Sequence, residues 1–169
     1  INFGAGVPPV YRENIIGLIP PYIYRNPKQS IEKIEVIALY FVPKNKIDRQ
    51  ANNWQEILDN SLKKIQKFHD LQFRGRSKIS YKILDKPVIG NKNSIEYDTN
   101  MTQHGNPEGL RRIANELSYR SSAQGDLYQP GLVSQDRSTY KVTLILYEGV
   151  GASGSEDVAL VSAVFFTDP

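Results

Sequence analysis

Three glycines, Gly149, Gly151 and Gly154, spell G-x-G-x-x-G directly after an apolar, β-branched run from Tyr140 to Tyr147. In a dinucleotide-binding turn such glycines bring the backbone close to a pyrophosphate, which then rests on the N-terminus of the helix that follows. Here the glycines lead into Ser155, Glu156 and Asp157, and then into Val158 to Phe166, a run with no helical stripe. The carboxylates repel phosphate, so the glycines read as a tight connection between two strands. No G-K-[S/T] occurs in the chain.

The other residues able to do chemistry are few. There is no cysteine, which excludes disulfides, thiolate catalysis and Cys-ligated metals. Of the two histidines, His69 follows a helical pattern beside Asp70 and reads as a helix-end residue favourable to the dipole. His104 lies in a polar stretch near Asp98. Two scattered imidazoles without H-E-x-x-H do not build a zinc centre. Ser153 sits in "GASGSED", which is not a G-x-S-x-G elbow. Glu96, Asp98 and Asn100 alternate as oxygen donors but lack the length and terminal glutamate of a calcium loop, so they read as a solvated turn. The residues alone therefore give no complete active site, and no cofactor is expected in this chain.

The elements that would carry these residues are legible. Ile34 to Val42 is a continuous apolar run ended by Pro43, the pattern of a buried central strand. Trp54, Ile57, Leu58, Leu62, Ile65 and Phe68 recur at helical spacing over 53–68, with Asn52 or Asn53 as cap and an Asp59–Lys63 pair one turn apart on the polar face. Ser77 to Leu84 alternates, with Ile79, Tyr81 and Ile83 on one face. Residues 85–106 form a long polar loop. A second helix starts at "NPEGLRRIANELSYR": Asn106 caps it, Pro107 takes the first position, and Leu110, Ile113, Ala114 and Leu117 form its stripe. Two strands, 140–147 and 158–166, close the chain. The expectation is an α/β (α+β) domain over 31–169, a mixed sheet of about four to five strands with two main helices.

Residues 1–30 differ. They hold five prolines and three glycines, with Ile15, Ile16, Leu18, Ile19, Tyr22 and Tyr24 too apolar for a free linker. They read as an extended docking arm, on its own domain or on a neighbouring copy. The whole chain, 169 residues with a net charge of +3, intersperses acids and bases, which speaks against a nucleic-acid footprint. No apolar run is long enough to span a membrane.

The order "YFVPKNK", "NWQEILDNSLKKIQKFHDLQF", "ISYKILDKPVIG", "YDT", "GNPEGL", "GDLYQ" and "LILYEGVGASG…ALVSAVFFTDP" resembles the front half of a family of secreted bacterial metallopeptidases of the zincin type. The resemblance covers roughly residues 33–169. It implies a strand, a backing helix and further strands ahead of an active-site helix bearing H-E-x-x-H, with an edge strand that pairs with extended peptide. That helix would follow Pro169, so zinc is implied only for a segment downstream, and no ligand can be carried onto this chain. A peptide-binding rim is implied around Gly149, Gly151, Gly154 and Ser155. With Ile1 as first residue, the resemblance also implies a processed protein, secreted or at the cell surface. Two readings stand: the non-catalytic portion of an exported zinc metallopeptidase-like protein that binds peptide or protein, or a secreted assembly module docking through its arm and strand edges.

Overall fold

A computed structural model describes residues 32–98, 105–124, 131–132, 139–154 and 158–166. The arm residues Ile15, Ile16, Leu18, Ile19, Tyr22 and Tyr24 lie outside the described residues, as do Asn100, His104 and Ser155.

The described chain is an α/β structure built on one mixed seven-stranded sheet. Strand β1 (Lys33–Val42) is central, and its second half is almost wholly buried. Helix α1 (Trp54–Phe73) leads to β2 (Lys78–Ile83), parallel to β1 with Lys33 opposite Lys78. The chain then forms β3 (Val88–Ile89), a short helix α2 (Ser94–Tyr97) and helix α3 (Pro107–Gln124). Then come β4 (Gly131–Leu132), β5 (Thr139–Tyr147), β6 (Ala152–Gly154) and β7 (Val158–Ser162). The main order is β2-β1-β5-β7-β6. Strands β1, β2, β5 and β7 are mutually parallel, and β6 returns antiparallel along β7.

Alternation along β1 divides the core. Val36, Ala38, Tyr40 and Val42 face α1 and pack with Trp54, Leu58 and Leu62. Leu39 and Phe41 face the other way and pack with Leu110, Ile113 and Leu117 of α3, together with Ile145 and Tyr147. The sheet is thus covered on both faces, as parallel strands require.

Among the described residues the cover is thinner on one side. Tyr81 Oη donates to Asp59 Oδ1 at 2.8 Å, and Gln66 Nε2 donates to the Ile79 carbonyl at 2.7 Å, so that flank of α1 overlies β2. Ile65 and Phe68 occupy the opposite flank, toward β5, and remain 45% and 65% exposed. On the same face of the sheet, Val142 and Leu144 of β5 and Val161 of β7 are only partly buried.

Several sequence expectations are corrected. Ile65 and Phe68 are not core residues; the helix rolls toward β2, and buried His69 takes the inward position instead. Helix α1 runs to Phe73, five residues past the expected end, and stops where Arg74 turns left-handed at φ 48°. Asn53 holds its N-cap position without a side-chain bond. The 85–106 stretch is not all solvated loop: β3 and α2 lie within it, and Tyr97 is 1% exposed. The last strand ends at Ser162, because Ser162 Oγ accepts from Val164 N–H at 3.2 Å and Ala163–Phe166 curls into a 3-10 turn.

Candidate functional site

Helix α1 carries the chain from β1 to β2 on one side, and α3 carries it back across to β5 on the other. The strand order therefore reverses between β1 and β5, and the crevice beyond their carboxyl ends is the favoured place for a ligand in an open α/β sheet. The segment Glu148–Gly154 leaves β5 at that point.

This segment is held from three sides. Glu148 N–H donates to the Phe41 carbonyl at 2.9 Å, and the Glu148 carboxylate accepts a hydrogen bond from Tyr40 Oη. Ser162 Oγ donates to the Gly149 carbonyl. Asn106, fully buried, does the rest: its Nδ2 donates to the Val150 carbonyl and to Asp98 Oδ1, both at 3.2 Å, and its backbone N–H donates to the Ala152 carbonyl at 3.1 Å. Its Oδ1 accepts from Gly109 N–H at 2.9 Å, the helix cap expected from the sequence.

The glycines serve this packing. A side chain at Gly149 would come within 2.1 Å of the Tyr147 ring, so the backbone there lies flat against the aromatic face. Gly151 adopts φ 91°, which only glycine takes at low cost, and turns the chain into β6. Gly154 has ordinary space around it. Strand β6 ends on the last of the glycines, and the next described residues, Val158–Ser162, form β7 and not a helix.

No family model, curated protein or solved structure matches the chain.

The polar side chains at this end are spoken for. Tyr147 Oη donates to Asp98 Oδ1 at 2.9 Å, and Tyr97 Oη donates to Glu116 Oε2 at 2.6 Å. Burial, followed by the hydrogen bond to a carboxylate, pushes both phenols well above the ordinary tyrosine value. Tyr40 is raised for the same reasons. These hydroxyls stay protonated and bind carboxylates; they are fasteners and not nucleophiles. Glu96 accepts from the Asn93 N–H and caps its own short helix, so Glu96 and Asp98 have separate tasks. Among the described residues no group of three or more His, Asp or Glu side chains is placed to hold a metal ion.

His69 lies elsewhere, near the end of α1, 7% exposed and packed at a tilt against Phe73 with ring centroids 4.2 Å apart. Desolvation lowers its pKa; Asp70 and the Ser77 backbone oppose that shift. The burial of the ring runs against the expectation of a helix-end cation, since desolvation disfavours its charged form. Sequence reasoning found Asn106 as a cap and the glycines as a turn. It missed Tyr147 and Ser162 and read Asp98 as part of a solvated turn, because these residues meet only through the tertiary fold.

The rim can offer backbone. Ala152 directs its carbonyl outward, so alternation turns Ser153 toward Leu160 and Gly154 outward again. No described residue pairs with the outward side of Gly154.

Proposed function

We propose that this chain is the non-catalytic front portion of an exported zinc metallopeptidase-like protein, inactive by itself, whose rim accepts an extended peptide or protein segment. The observation that carries this reading is the partly uncovered face formed by Val142, Leu144 and Val161 beside Ile65 and Phe68. Parallel strands are buried on both sides in folded proteins, so this face calls for another apolar element. A helix entering after β7 would lie there, and Ala163–Phe166 already leaves β7 with Ala163 in the same core and Val164, Phe165 and Phe166 exposed. In the zincin reading that helix bears the metal ligands. The short antiparallel strand β6, at the free end of the sheet beside β7, supports the peptide rim of the same reading.

The experiment is a cleavage assay on a denatured protein, with added zinc and a chelator control. The purified 169-residue chain gives no chelator-sensitive cleavage; the product of a longer reading frame carrying the downstream helix does.

The exposed apolar side chains also favour a second reading, an assembly module covered at this face by a neighbour. Concentration-dependent association of the chain, lost in Phe68→Lys, would favour that reading.

A further inference from the structure

Four lysines stand on one face of the sheet, across three neighbouring strands. Alternation along β1 puts Lys33, Glu35 and Ile37 on the face that carries Leu39 and Phe41. The register adds Lys78, Ser80 and Lys82 of β2 and Thr139, Lys141 and Thr143 of β5 to the same face. Helix α3 packs on the carboxyl-terminal half of that face, over Leu39, Phe41, Ile145 and Tyr147. The amino-terminal half is polar apart from Ile37. A groove of about 290 Å³ lies there, with Ser80 and Lys82 on one side, Lys141 on the other, and Glu35 and Ile37 between them. At Ser80 it meets a second hollow of about 480 Å³, lined also by Glu32, Lys33, Arg76 and Lys78.

Together the two hollows carry five cations and two carboxylates, a net charge of +3. The whole chain, with 21 basic and 18 acidic residues, has the same net charge. The excess positive charge is thus gathered in this one strip, and the rest of the chain balances. Lysines on an edge strand such as β2 can serve simply to keep other strands away. That role does not explain Lys33 on the central strand β1 or Lys141 on β5. Lys33 Nζ lies 2.6 Å from Glu35 Oε1. This contact, opposed by burial and joined by the charge of Lys141, holds the Glu35 carboxyl below its ordinary value. Glu35 thus draws on Lys33 and Lys141, while Lys78 and Lys82 stand exposed on β2.

We propose that this strip docks an acidic segment of a partner protein, lying extended along β2 with carboxylates on Lys78 and Lys82. Charge complementarity carries the proposal. Same-face residues of β2 repeat at about 6.6 Å, the spacing of alternate side chains in an extended polypeptide. Glu32 and Glu35 interrupt the cations. A polypeptide can set a neutral side chain opposite a carboxylate, whereas a nucleic-acid backbone brings a phosphate to every position. Tyr81, the aromatic residue beside the groove, turns its hydroxyl to Asp59 on the other face and offers no ring for a base to stack on. The strip lies on the opposite face of the sheet from Val142, Leu144 and Val161, and the proposal is independent of the metallopeptidase reading.

The test is a backbone NMR titration of the 169-residue chain with a capped acidic heptapeptide, Glu-Glu-Thr-Ser-Thr-Glu-Glu, at millimolar concentration. Its controls are the same peptide with glutamine for glutamate and a single-stranded oligothymidylate of equal charge. The acidic peptide should shift the amides of Lys33, Ser80, Lys82 and Lys141, and the shifts should shrink as salt is raised. The glutamine peptide should leave them in place, and the oligonucleotide should bind more weakly than the acidic peptide. Lys78→Gln and Lys82→Gln should each weaken binding about two- to fivefold, the range for exposed ion pairs. Both side chains are exposed, so these variants keep the fold. If the acidic peptide moves no amide of the strip, or binds both lysine variants as well as the wild-type chain, the proposal fails. Equal shifts with the glutamine peptide would show that charge does not recognise the partner, and the proposal fails in that case too. Tighter binding of the oligonucleotide would make the occupant a nucleic acid and overturn the assignment of a protein partner.

Discussion

Asn106 joins more of this molecule than any other described side chain at the rim. It caps α3, steadies Asp98, which in turn receives Tyr147, and fastens the glycine segment at Val150 and Ala152. Removing the side chain in Asn106→Ala loses a cap worth about 1 kcal/mol and leaves a buried carbonyl and carboxylate short of a donor at roughly 1–3 kcal/mol. A loss of about 2–4 kcal/mol in chemical unfolding is expected on those two counts. Asn106→Asp keeps the cap acceptor but sets a second carboxylate against Asp98, so its loss should shrink when the pH is lowered. At the other end of the sheet, His69 gives a pH dependence of opposite origin. Its folded pKa is lowered by burial, so the unfolded chain binds a proton that the folded chain refuses. Its share of stability is fully present above the ordinary histidine value near 6.5 and falls as the pH drops toward the lowered folded value. Urea midpoints compared at about pH 7.5 and about pH 5 should show this decline, and His69→Phe should flatten it.

At the scale of elements, Gly149 and Gly154 look alike in sequence and differ in the fold. Gly149→Ala drives a methyl into the Tyr147 ring and should lower the unfolding midpoint clearly, whereas Gly154→Ala meets only ordinary contacts and should leave it nearly unchanged. Melting of the two variants by circular dichroism checks the contrast. Element type was legible wherever burial follows period: the apolar run of β1, the alternation of β2 and the capped start of α3 all stand close to their expected bounds. What failed was facing. A helical stripe says which residues share a side but not how far the helix rolls, so Ile65 and Phe68 share the recurrence of Trp54 and Leu62 yet stay exposed while the bonds from Tyr81 and Gln66 hold α1 over β2. Tyr97 hid in a polar stretch because its burial depends on Phe41 and Tyr147, which pack against it from two distant strands. The site followed the same rule. The glycine turn and the Asn106 cap are local and could be read; the Tyr147–Asp98–Asn106 chain of contacts is not.

For the whole molecule, the asymmetry of the core is the main physical fact. One face of β5 and β7 is packed by α3, and the other retains partly exposed Val142, Leu144 and Val161 next to a flank of α1 carrying Ile65 and Phe68. Exposed apolar surface of this kind binds hydrophobic dyes. Paired Ile65→Lys and Phe68→Lys substitutions should therefore reduce dye fluorescence while changing stability by no more than about 0.5 kcal/mol, the usual effect of surface changes. No helix among the described residues is long and apolar enough to cross a membrane. The most direct measurement is zinc content together with chelator-sensitive cleavage, made on the complete reading-frame product beside the 169-residue chain. The account predicts one tightly held zinc and peptide-bond cleavage in the longer product and neither in the shorter; a shorter chain that holds zinc and cuts, or a longer product that does neither, would contradict it.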